Sequence, residues 1–484
     1  MSSAQLHPTS DRPTSIGAQG ERNWLYPALP RGVWMQRRTL ANVLLIGLFF
    51  SLPWIEVGGH QAVLLDLPHR KLALFGLVLW PQDSYLLWLT LFSTLMAMFL
   101  ITAQWGRLWC GWACPQTIFL EGVFRRIETW IEGEPGARRR LDAAPWSASK
   151  FGRKVLKHSL YFVVAAHVAN TFLCYFASTE RVVSMSTQSP GENPAWFAFM
   201  AGVNLIFYFD FAWFREQMCI IACPYGRWQS VMLDRHSLIV GYDANRGEAR
   251  GTKADHRRAL AAAEAAGAPP PALGDCVDCG RCVAVCPTGI DIRDGLQMEC
   301  VNCTACIDAC DEVMVKLERP KGLVRYSSLN QLSGATRSAL RPRTAVYGGL
   351  LTVAIGVFAF AALGRKLVEV QVVRAAGADV ATLQEGKLVN HFRAKLVNKR
   401  DTPIAISVRP QPGYEFLVPL RPWPVPAGQT ATMEIFVKRD LKLFEPGGAD
   451  RPLLVFEHEG DEVGRQRAPL LGPGKAAAVA TGRP

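Results

Sequence analysis

Eight cysteines between Cys276 and Cys310 fall into two runs, Cys276, Cys279, Cys282 and Cys286 before Pro287, then Cys300, Cys303, Cys306 and Cys310. Each run has the CxxCxxCxxxC spacing of a bacterial-type ferredoxin, in which three close thiolates wrap one corner of a cubane and the fourth serves the other cluster. That pattern assigns Cys276, Cys279, Cys282 and Cys310 to one [4Fe-4S] centre and Cys286, Cys300, Cys303 and Cys306 to a second. Zinc and disulfides are the competing chemistries, but zinc favours two cysteine or histidine pairs far apart, and two such dense runs do not arrange readily as closed tetrahedra. The chemistry implied is one-electron transfer.

A second cysteine set lies outside these runs. "WCGWACPQT" carries Cys110 and Cys114, and "MCIIACPYG" carries Cys219 and Cys223. A pair at i, i+4 shares one face of a helix, so two pairs at adjacent helix ends could present four thiolates to a soft ion such as Cu(I), or form two redox dithiols. Lipidated cysteines or small core residues are the plainer alternatives. On the helix-face reading the thiolates spread along one side and do not wrap a cubane corner, so copper is the expected occupant. His167 and Cys174, seven residues apart, and Asn204 and Asp210 are polar groups within apolar stretches, where burial is costly unless they are paired. His167 and Cys174 are further metal candidates, whereas His60, His69 and Met185 read as solvated surface. One histidine within the spans argues against a b-type haem bundle.

The elements that hold these residues are membrane spans. Five stretches reach bilayer length, Thr39–Val57, Ser84–Gln104, Ser159–Ala177, Ala195–Phe214 and Thr344–Leu363. Leu72–Trp80 is too short to cross and is expected at the interface. Lys and Arg crowd the segment between the second and third spans, from Arg107 to Lys157, whereas the next loop carries only Arg181. Positive-inside then puts the N-terminus, this segment and Arg215–Arg343 in the cytosol and the C-terminal part outside. The formal net charge of +12 is explained by topology and anionic lipid, and no nucleic-acid motif accompanies it. No apolar signal-peptide core precedes the first span, and thirteen cysteines in a largely cytosolic setting argue against a disulfide scaffold.

The expected organisation is a multi-domain membrane protein. Residues 1–30 form a disordered cytosolic tail, and 31–230 a four-helix transmembrane region whose two hairpins repeat the CxxxCP motif. Residues 231–342 form a cytosolic loop holding the ferredoxin domain at about 270–320, preceded by a short helix, Arg258–Ala268, and a Pro269–Pro271 spacer. A fifth transmembrane helix occupies 343–365. Residues 366–473 alternate in about seven short strands, punctuated by turns at Asn398–Asp401, Pro410–Gly413 and Pro446–Gly448, and fit a periplasmic Ig-like β-sandwich. Residues 474–484 form a tail. Trp109, Trp112 and Trp228 read as interface anchors, and "RRIETWIEGEPGARRR" as a solvated helix and turn.

Five spans, the two CxxxCP motifs, "YDANRGEARG", "CVDCGRCVAVCPTGIDIR", "CVNCTACIDACDEVM" and a C-terminal sandwich together resemble the FixG/RdxA/CcoG cytochrome c oxidase accessory proteins, from about Leu25 to Pro473. The family pattern has Pro where this chain has Ala249, which bears on loop stiffness and not on a ligand. The resemblance implies a bacterial inner-membrane cupric reductase that supplies Cu(I) for assembly of a C-family (cbb-type) haem-copper oxidase. Its implied cofactors are two [4Fe-4S] clusters, with copper as substrate or ligand. Its implied partners are oxidase subunits, copper chaperones, a copper-transporting ATPase and membrane lipid, with the electron donor open. A quinol-linked membrane ferredoxin feeding a periplasmic reductase, and a non-catalytic redox-sensing assembly scaffold, are the competing functions.

Overall fold

The computed structural model describes residues 15, 16, 19, 21–68, 70–269, 271–375, 381–384, 386–443 and 450–472. His69, the turn at Pro446–Gly448 and the tail 474–484 lie outside the described residues. The chain divides into two compact units, Met1–Val78 with Leu89–Gly356, and Leu79–Trp88 with Val357–Pro484.

The first unit holds the cysteine-rich region, the helices Ala148–Ala177 and Pro194–Phe214, and parts of two further membrane-length helices. Among the described residues four helices are long and apolar enough to cross a membrane, Pro81–Trp105, Ala148–Ala177, Pro194–Phe214 and Pro342–Leu363. The expected first span is helical over Val33–Ser51, continues as a 3-10 turn to Trp54, and enters a strand at Glu56. Its start is built into protein. The backbone N–H groups of Trp34 and Met35 donate to the Asp308 carboxylate at 3.2 and 2.7 Å, and Arg38 donates through Nε to the Gly111 carbonyl at 3.0 Å. An aspartate from the ferredoxin region therefore caps this helix, where the exposed N–H groups attract an anion.

Leu72–Trp80, too short to span, is extended rather than helical. It supplies the strands Lys71–Leu74 and Leu77–Leu79 of a three-stranded sheet with Val63–Asp66. The left-handed Phe75 and Gly76, at φ 47° and 87°, turn the chain between the two strands and favour a hairpin over a helix. The third span begins earlier than its apolar run, at Ala148, because the Ser147 hydroxyl accepts from Lys150 N and caps a 30-residue helix. The helix expected at Arg258–Ala268 runs over Lys253–Ala265, started by a Thr252/Asp255 capping box. Beyond it, Ile239–Tyr242 pairs antiparallel with Val324–Ser327, tying entry to and exit from the cysteine-rich region.

The second unit is a sandwich. One sheet runs Glu415–Leu417, Thr430–Asp440, Lys387–Asn398, Val368–Arg374, with Ala381–Gln384 also pairing on Lys387–Asn398. The other runs Trp423–Val425, Ile404–Val408, Leu453–His458, Asp461–Arg467. Nine strands are thus present among the described residues, all paired antiparallel. Period-two alternation aims Met433, Ile435 and Val437 inward against Phe392, Ile406 and Phe456. Trp80 donates to the Lys399 carbonyl at 3.1 Å and Lys399 pairs with fully buried Asp83 at 2.7 Å, which anchors Leu79–Trp88 to this unit.

Candidate functional site: two neighbouring sets of thiols

Both ferredoxin loops bend in the same way. Asp278 (φ 52°) and Gly280 (φ 65°) in the first correspond to Asn302 (φ 55°) and Thr304 (φ 66°) in the second. Gly, Asp and Asn tolerate this left-handed region, but β-branched Thr304 is strained there and stays buried, its hydroxyl donating to the Cys303 carbonyl at 2.6 Å. The loops then feed the helices Arg281–Ala284 and Ala305–Lys316, which carry Cys282, Cys306 and Cys310.

Two small cavities result. Cys276, Cys279, Cys282 and Cys310 line one. Cys286, Cys300, Cys303 and Cys306 line the other, with Cys282 also contributing. Burial, reinforced by neighbouring thiols, pushes Cys300 up to about 12, and burial drives Cys303 and Cys282 up to about 11. So crowded a set becomes anionic only against a compensating positive core, which ferric and ferrous iron would provide. Among the described residues no three His, Cys, Asp or Glu side chains close on a single ion. Each cavity brings together the four cysteines of one ferredoxin set, so these eight residues would hold the two [4Fe-4S] clusters.

The membrane-side cysteines also converge, from segments 109 residues apart. Burial raises Cys219, and Cys114, Cys110 and Cys223 raise it further. Cys110 is pushed up to about 12 by burial and then Cys114, while its thiol contacts Gln229 Oε1 at 3.2 Å. The expectation that each pair shares a helix face needs correction. Cys110 lies in Leu108–Trp112, that helix ends at Ala113, and Cys114 is the N-cap of a new helix beginning at Pro115. Cys219 sits in a π-helical turn, Met218–Ala222, and Cys223 caps the helix Pro224–Met232. Proline is favoured at the first helical position, so the Cys-Pro step marks a helix start. Burial raises the Cys114 thiol, but the N–H groups of Thr117 and Gln116 at the helix start act to lower it.

Close backbone packing joins this quartet to the second ferredoxin loop. A Cβ on Gly111, between Cys110 and Cys114, would stand 2.6 Å from the carbonyl oxygens of both Asn302 and Val301. Cys110 and Cys306 both pack against the apolar cluster that contains Cys303. Arg107 bridges the two regions, donating to the carbonyls of Cys300 at 3.0 Å and Gly226 at 3.1 Å and also to Met298. Trp112 is no interface anchor, because its indole donates to the Tyr326 hydroxyl at 2.9 Å and its ring meets Trp34 edge-on. Trp109 and Trp228 remain exposed.

Behind the quartet lies a buried ionic network. Glu128 receives Arg215 at 2.8 Å and Arg138 at 2.9 Å, Glu216 receives Arg125 at 3.3 Å, and Arg125 also donates to the Pro287 carbonyl at 3.0 Å. "RRIETWIEGEPGARRR" is therefore solvated on one side only, with Arg126, Trp130, Arg139 and Arg140 exposed and Arg125, Glu128, Glu132 and Arg138 buried. Arg138 finds Glu128 within the segment, but Arg215 and Glu216 stand 87 and 91 residues from Glu128 and Arg125, so local charge did not reveal the burial. Residues 21–30 are likewise held in place, with Ala28 N on the Ala284 carbonyl at 2.9 Å, Arg138 on the Pro27 carbonyl at 2.8 Å and Tyr26 on Asp142 at 2.7 Å.

His167 and Cys174 do not join the thiols. His167 stacks on Phe50 with centroids 4.7 Å apart, and Cys174 is buried among Leu173, Ala177, Val182 and Met200. Seven residues separate them by about 10 Å along the axis, and no three-ligand group forms among the described residues. Asp210 accepts from Gln116, two residues beyond Cys114, at 3.2 Å, and so ties the first motif to the end of the helix Pro194–Phe214. His60 lies in the strand His60–Gln61 and Met185 in the helix Thr179–Thr187. Arg107, Gln116 and Gln229 were not evident beforehand, although all three lie within seven residues of a motif cysteine.

Comparison with known proteins agrees with this geometry. Residues 214–329 match the family described as "4Fe-4S dicluster domain", 86–138 match "4Fe-4S binding domain", and 358–473 match "IG-like fold at C-terminal of FixG". "Nitrogen fixation protein FixG" of Rhizobium meliloti (strain 1021) is 35% identical over 416 residues, covering 78% of this chain and 77% of the relative. "Protein RdxA" and "Protein RdxB" of Cereibacter sphaeroides are 33% and 31% identical, covering 78% and 85% of this chain and 80% and 88% of themselves. With its iron–sulfur loops, its four membrane-length helices and its C-terminal sandwich, the chain belongs to the FixG/RdxA/RdxB family of membrane-associated iron–sulfur electron-transfer proteins.

Proposed function

We propose that this protein reduces Cu(II) to Cu(I), one electron per ion, and supplies Cu(I) for assembly of a C-family (cbb-type) haem-copper oxidase. The single observation that carries the reading is that Cys110 packs on the apolar cluster that includes Cys303 and on which Cys306 also packs, which sets a soft thiol donor beside the second ferredoxin loop. Iron–sulfur clusters bound at the two loops supply one-electron storage. Cys110, Cys114, Cys219 and Cys223 offer the thiolates that Cu(I) prefers, and the buried Arg107 guanidinium offsets their negative charge.

The proposed topology has five spans, with Val33–Ser51 as the first. The N-terminus and the ferredoxin region face the cytosol and the sandwich faces the periplasm, as the Lys and Arg distribution favours. Oxidase subunits, a copper chaperone and a copper-transporting ATPase are the proposed partners.

Anaerobic stopped-flow of the dithionite-reduced protein against Cu(II) tests the activity. Iron–sulfur absorbance should recover as Cu(I) forms, and a Cys219→Ser, Cys223→Ser variant should lose this response while retaining its ferredoxin spectrum. Absent recovery in the wild type, or an undiminished response in the variant, would remove copper reduction from this site.

A further inference from the structure

Between the start of the helix Ala148–Ala177 and the end of Pro194–Phe214 lies a cavity of about 670 Å³, a size suited to a small organic ligand. Trp24, Tyr26, Tyr208, Phe209 and Trp213 supply flat aromatic walls. His158 Nδ1 and the Tyr208 hydroxyl face each other at 2.9 Å, joining the two helices across this space. Leu205, Phe209 and Trp213 are about half exposed along the apolar Pro194–Phe214 helix, so the mouth borders a lipid-facing surface.

The charges in the wall are already matched. Arg138 pairs with Glu128 at 2.9 Å, Lys157 with Glu132 at 2.9 Å, and Lys154 with Glu132 at 2.8 Å and Asp142 at 2.6 Å. A lipid phosphate would have to displace carboxylates from these cations, whereas a neutral ring with hydroxyl or carbonyl groups needs only a hydrogen-bonding pair such as His158 and Tyr208. The cavity is also wired to the thiol centres by buried side chains. Glu128 binds Arg215, Glu216 beside it binds Arg125, and Arg125 donates to the carbonyl of Pro287, next to Cys286.

We infer that this cavity binds the head group of a membrane quinol and is where electrons enter the protein. The inference builds on the electron-transfer reading above and names the donor that reading leaves open. Oxidising one quinol to quinone breaks two O–H bonds and releases two electrons and two protons. The electrons pass singly to the two iron–sulfur centres as oxidants, one proton passes to the His158 imidazole, and the other passes to water at the mouth. The quinol's apolar tail lies along Leu205 and Phe209 towards lipid.

The test uses the full-length protein in detergent with its iron intact. An azido-ubiquinone is photolysed with it and the labelled peptides are mapped. Separately, decylubiquinol and a short-tail menaquinol are added anaerobically while iron–sulfur absorbance is followed. The label should fall on residues 24–26, 154–158 or 205–213, and at least one quinol should bleach the centres. His158→Ala and the gentler Tyr208→Phe should slow quinol bleaching, by about 100-fold for the former, with folding controlled by an unchanged visible spectrum. Label elsewhere, label displaced by anionic phospholipid but not by excess quinone, failure of both quinols, or bleaching unaffected in both variants would overturn the proposal. Quinol bleaching without subsequent copper reduction would reject the cupric reading alone and leave the quinol site standing.

Discussion

The ferredoxin octet and the membrane quartet both gather four-thiol sets, but they do so by opposite means. Each octet loop is local, with its left-handed residues and following helix within a few positions of the cysteines it shapes. The quartet is assembled by tertiary structure, with each pair split across a helix boundary and completed by a segment 109 residues away. A locally specified site is broken chiefly through its ligands. A tertiary site is also broken through the residues that dock its halves together.

Ligand loss is the largest effect expected. Cys306→Ser should remove about half of the roughly eight iron and eight acid-labile sulfide per chain, measured by anaerobic analysis of purified protein. Cys219→Ser should leave that content unchanged. A wild-type content near twelve, falling to about eight in Cys219→Ser, would mean that the quartet also holds a cluster, as the "4Fe-4S binding domain" match over 86–138 allows. The two regions would then differ in assembly but not in chemistry.

Next comes the quartet's scaffold. Glu128 is almost fully buried between Arg215 and Arg138, so Glu128→Gln leaves two buried guanidinium groups short of charge and should cost about 3–5 kcal/mol. Burial pushes the Glu128 carboxyl up, but Arg215 with Lys157 and Arg138 outweighs it and holds the group at about 2, below its ordinary 4.5. Because the folded value is depressed, its stabilisation is fully present above pH 4.5 and is lost as pH falls towards 2. Acid titration followed by tryptophan fluorescence should show a transition in that window that Glu128→Gln removes. An identical acid profile in the variant would assign the transition to other carboxylates.

What the sequence disclosed follows the same division. Cysteine spacing marked the octet because the information is local, and alternation at Met433, Ile435 and Val437 marked the sandwich because one face of each strand meets one core. The helix breaks at Cys114 and Cys223 had a readable sign in the prolines that follow them, although i, i+4 spacing suggested a continuous face. Arg125 and Arg215 had no such sign, since the Glu216 and Glu128 carboxylates that meet them come from 91 and 87 residues away, whereas Arg138 had Glu128 ten residues before it. His158 stood one residue before the apolar stretch Ser159–Ala177, although the helix itself begins at Ala148. That displacement hid its meeting with Tyr208.

Docking between the regions should respond more mildly to a conservative change. Arg107→Lys keeps the charge, but one ammonium cannot reach the carbonyls of Cys300, Met298 and Gly226 in the guanidinium's planar arrangement. The loss should be about 2 kcal/mol, seen as an earlier denaturation midpoint with an unaltered iron–sulfur spectrum before unfolding. An unchanged midpoint would mean that charge, not the forked hydrogen bonding, joins quartet to octet.

The smallest effect isolates one hydrogen bond at the same junction. Trp112, between the two cysteines of the first motif, donates to the Tyr326 hydroxyl, which donates in turn to the Asn302 carbonyl at 3.1 Å inside the second ferredoxin loop. Phenylalanine retains an aromatic face against Trp34 and removes the donor, so Trp112→Phe should cost about 1 kcal/mol. Tyr326→Phe interrupts both links and should cost about twice as much. If the two residues act through their shared bond, the double variant should be less destabilised than the sum of the single ones by about 1 kcal/mol. Strict additivity would show that the indole serves packing alone, leaving Gly111 and Arg107 as the contacts through which the membrane thiols sense the ferredoxin loop.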